Sequence, residues 1–146
     1  MKNVSRSSPM LDFELARVLL VDDDLTSRLT LQTVLEAGGY HVDAAASAAE
    51  AFGKLDEQEY ELVLSDLKME SPEAGLKVLA HARMMDYKPA TAIVTTYQNA
   101  RPTKSARTLI KPEDLPGLLG KVANLISERA AKKVQRELRQ AAYQAS

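Results

Sequence analysis

Five short apolar runs, each set apart from the next by a stretch of helical or loop-like character, most narrow what this chain can fold into. Arg17–Val21 is the first. Leu29, Val34 and Leu35 then recur at helical intervals from about Thr26 to Ala37, where Gly38 and Gly39 stop the helix. His41–Ala45 is a second, weaker strand, and Ser47 followed by Glu50 is a capping box for a helix through Ala51, Phe52 and Leu55. Glu61–Ser65 is a third strand, followed by a helix over Glu73–Met85 with Leu76, Leu79 and Ala80 inward. Pro89 leads into the fourth strand, "TAIVT", and Arg107–Ile110 is the fifth. Pro112 opens a last helix through Leu115, Leu118, Leu119, Val122 and Ile126. Strands this short and apolar need cover on both faces, which predicts an α/β architecture with a parallel sheet between two helical layers.

Ligands of such open sheets bind beyond the carboxyl ends of the strands. The residues in that position are Asp22, Asp23 and Asp24 after the first strand, Asp66 after the third, Thr95 and Thr96 after the fourth, and Lys111 after the fifth. Carboxylates from two strand ends, held close, disfavour full ionisation unless a cation joins them. An all-oxygen ligand set points to a hard ion, magnesium rather than zinc. Lysine and threonine aimed at the same spot would bind phosphoryl oxygens, one by charge and one by a hydrogen bond. A carboxylate nucleophile would form an acyl phosphate, so the set predicts phosphoryl transfer to an aspartate. Singly, each residue has a structural explanation. The acidic run can cap a helix, Asp66 can sit in a turn, Thr95 can end a strand, and Lys111-Pro112 is ordinary loop sequence. Their order on one rim is what carries the chemistry.

Composition sets the limits. At 146 residues the chain has room for one domain with a full core. Its net charge of -1 gives the whole molecule no electrostatic drive toward nucleic acid or membrane. It has no cysteine, which removes disulfides, thiolate catalysis and cysteine-ligated zinc, and its two histidines, His41 and His81, are too few for a histidine-rich metal site. Residues 1–14 read as a polar leader without the apolar centre of a signal peptide, so the expected compartment is the cytoplasm.

From about Arg17 to Ser127 the chain resembles the receiver domain of two-component response regulators, through "LLVDDD", "ELVLSDLKM", "AIVTT" and "LIKPED" in that order and spacing. The resemblance implies a flavodoxin-like sheet in the order 2-1-3-4-5, in a receiver domain over residues 15–127. It implies Asp66 as phosphoacceptor, and magnesium held by Asp22, Asp23, Asp66 and the backbone carbonyl of Lys68. Thr95 and Lys111 would then contact the phosphoryl group. The donor would be a histidine kinase, a phosphotransfer protein or a small phosphodonor, and the output a contact with a downstream protein. Such a protein catalyses its own phosphorylation and dephosphorylation and is not a turnover enzyme. The opening stretch also spells D-x-D-x-T through Asp22, Asp24 and Thr26, which resembles the first motif of haloacid-dehalogenase-type phosphatases. That family's fourth motif finds no counterpart after Lys111, and Asp66 would be left without a role.

Several positions depart from the receiver pattern. The loop after Asp66 is one residue longer than the common form, with Glu70 where proline is usual. Lys68 and Tyr97 occupy the places that tune dephosphorylation. Thr108 stands where an aromatic switch residue is usual. Only 15 residues separate Thr95 from Lys111, so the helix between the fourth and fifth strands is expected to be shortened or absent. A rebuilt signalling face of this kind leaves open an adaptor that works without phosphorylation. Residues 128–146 continue as a helical extension, with a thin stripe of Ala130, Val134, Leu138 and Ala141 beside Lys132, Lys133, Arg136 and Arg139. This extension is expected to be solvated, to serve as a dimerisation or partner helix, or to begin a linker to an output domain outside this chain, and it is too short to be a DNA-binding module.

Overall fold

The computed structural model describes residues 16–66, 71, 73–94, 109–110 and 117–145. The expected alternation is present as β1 (Arg17–Val21), α1 (Leu25–Ala37), β2 (His41–Ala45), α2 (Ala48–Glu57), β3 (Leu62–Asp66), α3 (Ala74–Arg83), β4 (Ala90–Val94), β5 (Leu109–Ile110) and α4 (Leu118–Ala145). All strand pairs are parallel and their order is β2-β1-β3-β4-β5, the flavodoxin-like arrangement.

Side chains alternate across the sheet, so each strand feeds two cores. Val18, Leu20, Leu62 and Leu64 pack with Leu31 and Leu35 of α1 and with Leu118 and Val122 of α4. Leu19, Val21, Val63 and Ile93 pack on the other face with Ala51 and Leu55 of α2 and with Val78 and Leu79 of α3. Both faces are covered, which explains why the strands are almost uniformly apolar.

Local signals set most boundaries. Asp24 is the N-cap of α1 and accepts from the Ser27 N–H at 2.8 Å, so the helix starts at Leu25, one residue before the expected point. Gly39 (φ 100°) ends it, with Tyr40 N–H bonded to Leu35 O and Gly39 N–H to Glu36 O. Ser47 caps α2 through Glu50 N–H, while Glu50 accepts from Ala46 N–H, one residue beyond the Ser47 N–H of the reciprocal bond the pattern predicts. The third strand runs one residue further than its apolar run and takes in Asp66, because Asp66 pairs with Val94 on β4. β4 correspondingly begins at Ala90, opposite Leu62, one residue before its predicted start, and the predicted last residue, Thr95, lies outside the described residues. α3 is shorter than predicted at both ends, Ala74–Arg83 rather than Glu73–Met85.

α4 has two unlike halves. Leu118 and Val122 are buried, and Leu119, Leu125 and Ile126 pack partly against the first core. From Ala130 to Ala145 every residue is exposed, including Val134 and Leu138 of the predicted stripe. The leader, residues 1–14, and the shortened or absent helix between β4 and β5 both fall outside the described residues.

Candidate metal centre

Two central strands deliver the acidic residues. β1 ends at Val21, and Asp22 extends its ladder by donating its N–H to Ala45 O at 3.0 Å. The Asp22 side chain is only 1% exposed. Its Oδ1 accepts the Asp24 N–H at 2.9 Å, and among the described residues its buried Oδ2 has no hydrogen-bond partner. Arg28, from the first turns of α1, donates to Asp22 O at 2.8 Å and ties the strand end to the helix. β3 delivers Asp66, 4% exposed, in the neighbouring strand. Asp23 is exposed at the mouth. One carboxylate oxygen from each of Asp22, Asp23 and Asp66 lies within 4.8 Å of the other two.

A buried carboxylate oxygen without a donor is costly unless a cation or a proton satisfies it. Here two buried carboxylates and one exposed one converge, all oxygen, with no histidine or thiolate among them. That donor set and the spare Oδ2 fit a hard divalent cation such as magnesium. The third aspartate of the run has a different task, since the Asp24 carboxylate is spent on the helix cap. In a D-x-D-x-T phosphatase that group would be the acid, so this geometry gives no support to the phosphatase reading.

The floor of the site shows a contact that local sequence does not reveal. Gly75, in the first turn of α3, passes so close to the end of β3 that an added Cβ would lie 2.3 Å from Asp66 O. Ser65 Oγ sits 3.3 Å from Gly75 O and 3.4 Å from Asp66 O, bridging the helix and the strand. A lone glycine inside a helical stretch is the only sequence signal for this approach. Beside the mouth, Leu25 and Leu29 form an apolar pair one turn apart on α1, 58% and 52% exposed.

Of the residues predicted for this site, Asp22, Asp23 and Asp66 are brought together. Thr95, Lys111, Lys68, Tyr97 and Thr108 lie outside the described residues. β4 and β5, whose last residues directly precede Thr95 and Lys111, run parallel to β3. Among the described residues no helix is long and apolar enough to cross a membrane.

Known proteins resemble the chain in the same terms. The family model for the response regulator receiver domain matches residues 18–122. The transcriptional regulatory protein ZraR of Escherichia coli is 32% identical over 107 residues, 69% of this chain but 24% of its own length. The chain thus spans about a quarter of the length of that regulator. A CheY-like receiver domain protein from Methanospirillum hungatei superposes with a TM-score of 0.71 at 27% identity, covering 82% of this chain and 99% of the other. The response regulator TrrA of Thermotoga maritima, solved in complex with Mg(2+)-BeF, gives a TM-score of 0.67 at 30% identity over 76% of this chain and 99% of its own.

Proposed function

The chain belongs to the response regulator receiver domain family, and on that premise we propose that it accepts a phosphoryl group on Asp66 and signals by protein contact. The observation that carries the reading is the buried Oδ2 of Asp22, without a hydrogen-bond partner among the described residues, in one cluster with the Asp66 carboxylate. Magnesium, when bound, would offset the charge of the clustered carboxylates and of the incoming phosphoryl group. Asp22, Asp23 and Asp66 would hold it, with the Lys68 carbonyl as a further ligand. The Mg(2+)-BeF complex of TrrA supports the same assignment.

The chemistry asks little more of the chain. A carboxylate oxygen of Asp66 attacks phosphorus, the bond to the donor breaks, and an acyl phosphate remains on Asp66. The donor is a phosphohistidine of a kinase or phosphotransfer protein, or a small phosphodonor. Ser65 and Gly75 hold the backbone of Asp66, and Arg28 holds that of Asp22, so the attacking group is positioned before the donor arrives. Thr95 and Lys111 would hold phosphoryl oxygens, one by its hydroxyl and one by charge. Lys68 and Tyr97 would set the rate of water attack, and Thr108 would take the place of the usual aromatic switch. The exposed pair Leu25 and Leu29 gives a protein donor an apolar surface beside the site. A downstream protein or a second copy would meet the exposed turns of α4 in the 128–146 extension. Such a relay belongs in the cytoplasm.

Incubation with acetyl phosphate and magnesium tests the reading. Intact mass should show a magnesium-dependent phosphoryl adduct on the wild type and none on Asp66→Asn. Phosphatase turnover lost in Asp22→Asn yet retained in Asp66→Asn would reverse the assignment. A folded wild type that never takes the label would favour the phosphorylation-independent adaptor.

A further inference from the structure

At the opposite end of the sheet from Asp66, α3, the turn into β4 and one side of α4 enclose a cleft of about 380 Å³. Arg83, Lys88, Arg129, Lys132 and Arg136 line it, and Glu128 is the single carboxylate among its described lining residues. Pro89, Ala90 and Leu125 supply an apolar floor. Arg129, Lys132 and Arg136 recur at helical spacing along one side of α4, while Arg83 and Lys88 come from the facing elements.

The turn is built around its lysine. Lys88 is the one non-glycine residue with positive φ (48°) among the described residues, a conformation in which glycine or asparagine sits with less steric strain. Arg129 holds that turn in place, donating from Nε to Lys88 O at 3.0 Å and from Nη2 to Tyr87 O at 2.7 Å. Lys88 Nζ donates to Arg83 O at 3.4 Å, which ties the turn to the end of α3 and keeps the ammonium among the cations of the cleft.

We infer that this cleft binds an oligophosphate, two or three linked phosphates either free or carried on a small organic group. Five cations against one carboxylate call for dense negative charge in a confined space. Along α4 the array from Arg129 to Arg136 spans only ~10 Å at the helical rise. An extended acidic peptide would need about seven residues, roughly 20 Å, to present four carboxylates on one face. A phosphate chain carries that charge within the length of the array, where the lysine and arginine charges meet its oxygens. The chain's net charge of -1 disfavours a nucleic acid lying across the surface.

Calorimetric titration with inorganic triphosphate in metal-free buffer tests the site. Triphosphate should bind more tightly than sulfate at matched ionic strength. The double variant Lys132→Glu/Arg136→Glu, at exposed helix positions, should bind at least tenfold more weakly. Lys88→Gly should lose affinity severalfold while its thermal midpoint holds or rises, a combination that a purely structural lysine would not give. Asp66→Asn should bind like the wild type, because the cleft lies at the other end of β4. ATP binding no tighter than triphosphate assigns the free phosphate chain, and tighter binding assigns a carried one. The inference is overturned if triphosphate is no better than sulfate, if the double variant is unaffected, or if Asp66→Asn abolishes binding. It is equally overturned if oligoglutamate or a single-stranded oligonucleotide binds where triphosphate does not.

Discussion

The two ends of the sheet treat their carboxylates in opposite ways. On the amino-end side, Asp43 of β2 takes three partners: the Tyr60 hydroxyl at 2.7 Å, Arg17 at 3.4 Å and His41 at 3.3 Å. Burial pushes its carboxyl up, but the Tyr60 hydrogen bond and the nearby His41 and Arg17 charges override this and hold it below the usual carboxylate range. Glu61 likewise accepts the Arg17 N–H. At the carboxyl end, one oxygen each of Asp22, Asp23 and Asp66 converges within 4.8 Å, and among the described residues the Asp22 Oδ2 has no hydrogen-bond partner. Acidic groups that the chain itself satisfies build the fold. Acidic groups gathered on one another, with a buried oxygen to spare, are set for something that comes from outside.

The largest effect expected from breaking this contrast is at Gly75, the carboxyl-end contact with the least room. Gly75→Ala would drive a Cβ against backbone rather than against a flexible side chain, so β3 or α3 must shift. Overpacking of this kind should cost about 3 kcal/mol, and the displaced Asp66 should take up the phosphoryl label more slowly. Urea unfolding and the labelling rate read the two effects separately. A variant as stable and as quickly labelled as the wild type would show that the close approach does not position Asp66.

Tyr60→Phe probes the amino end and should come next. It leaves the ionised Asp43 without its shortest donor, a loss of about 2 kcal/mol for a hydrogen bond to a charged group. The pH dependence follows from the depressed Asp43 pKa. Its contribution is present above the unfolded-state value of about 4 and is lost as pH falls through the folded value. The stability gap between variant and wild type should therefore be full at pH 7 and shrink on acidification below about pH 4. A gap that stays constant through that range would mean that packing of the ring, and not the Asp43 contact, is what the variant disturbs.

How far the sequence could be read follows the same division. The carboxyl-end acids were legible because each follows an apolar run, and a parallel sheet must place such residues on one rim. β1 and β2 match their predicted bounds, since the apolar runs that mark them are also the segments that pair. β3 and β4 do not, because the pairing of Asp66 with Val94 is decided between strands. The Asp43 cluster was not legible, as its four members come from three separate places along the chain and none carries a local signal. Nor was the basic cleft. The α4 cations stand out as a stripe, but only the tertiary fold sets Arg83 and Lys88 opposite them. Asp24 was open between cap and acid, and the structure shows it as the cap, accepting the Ser27 N–H.

The smallest effect should also be the one with the most informative sign. Asp22→Asn keeps an oxygen for the Asp24 N–H and replaces Oδ2, which has no partner among the described residues, with an N–H donor inside the carboxylate cluster. A buried acceptor without a partner becomes a donor among acceptors, so without magnesium the variant should gain about 1 kcal/mol. Magnesium should reverse the order. A cation that binds only the folded state adds stability in proportion to its occupancy, and the wild type keeps the carboxylate that holds it. Urea midpoints of both proteins, with and without magnesium, should therefore cross. If the variant is the weaker protein in both buffers and the wild type ignores magnesium, the carboxyl end is as self-sufficient as the amino end, and the contrast between them fails.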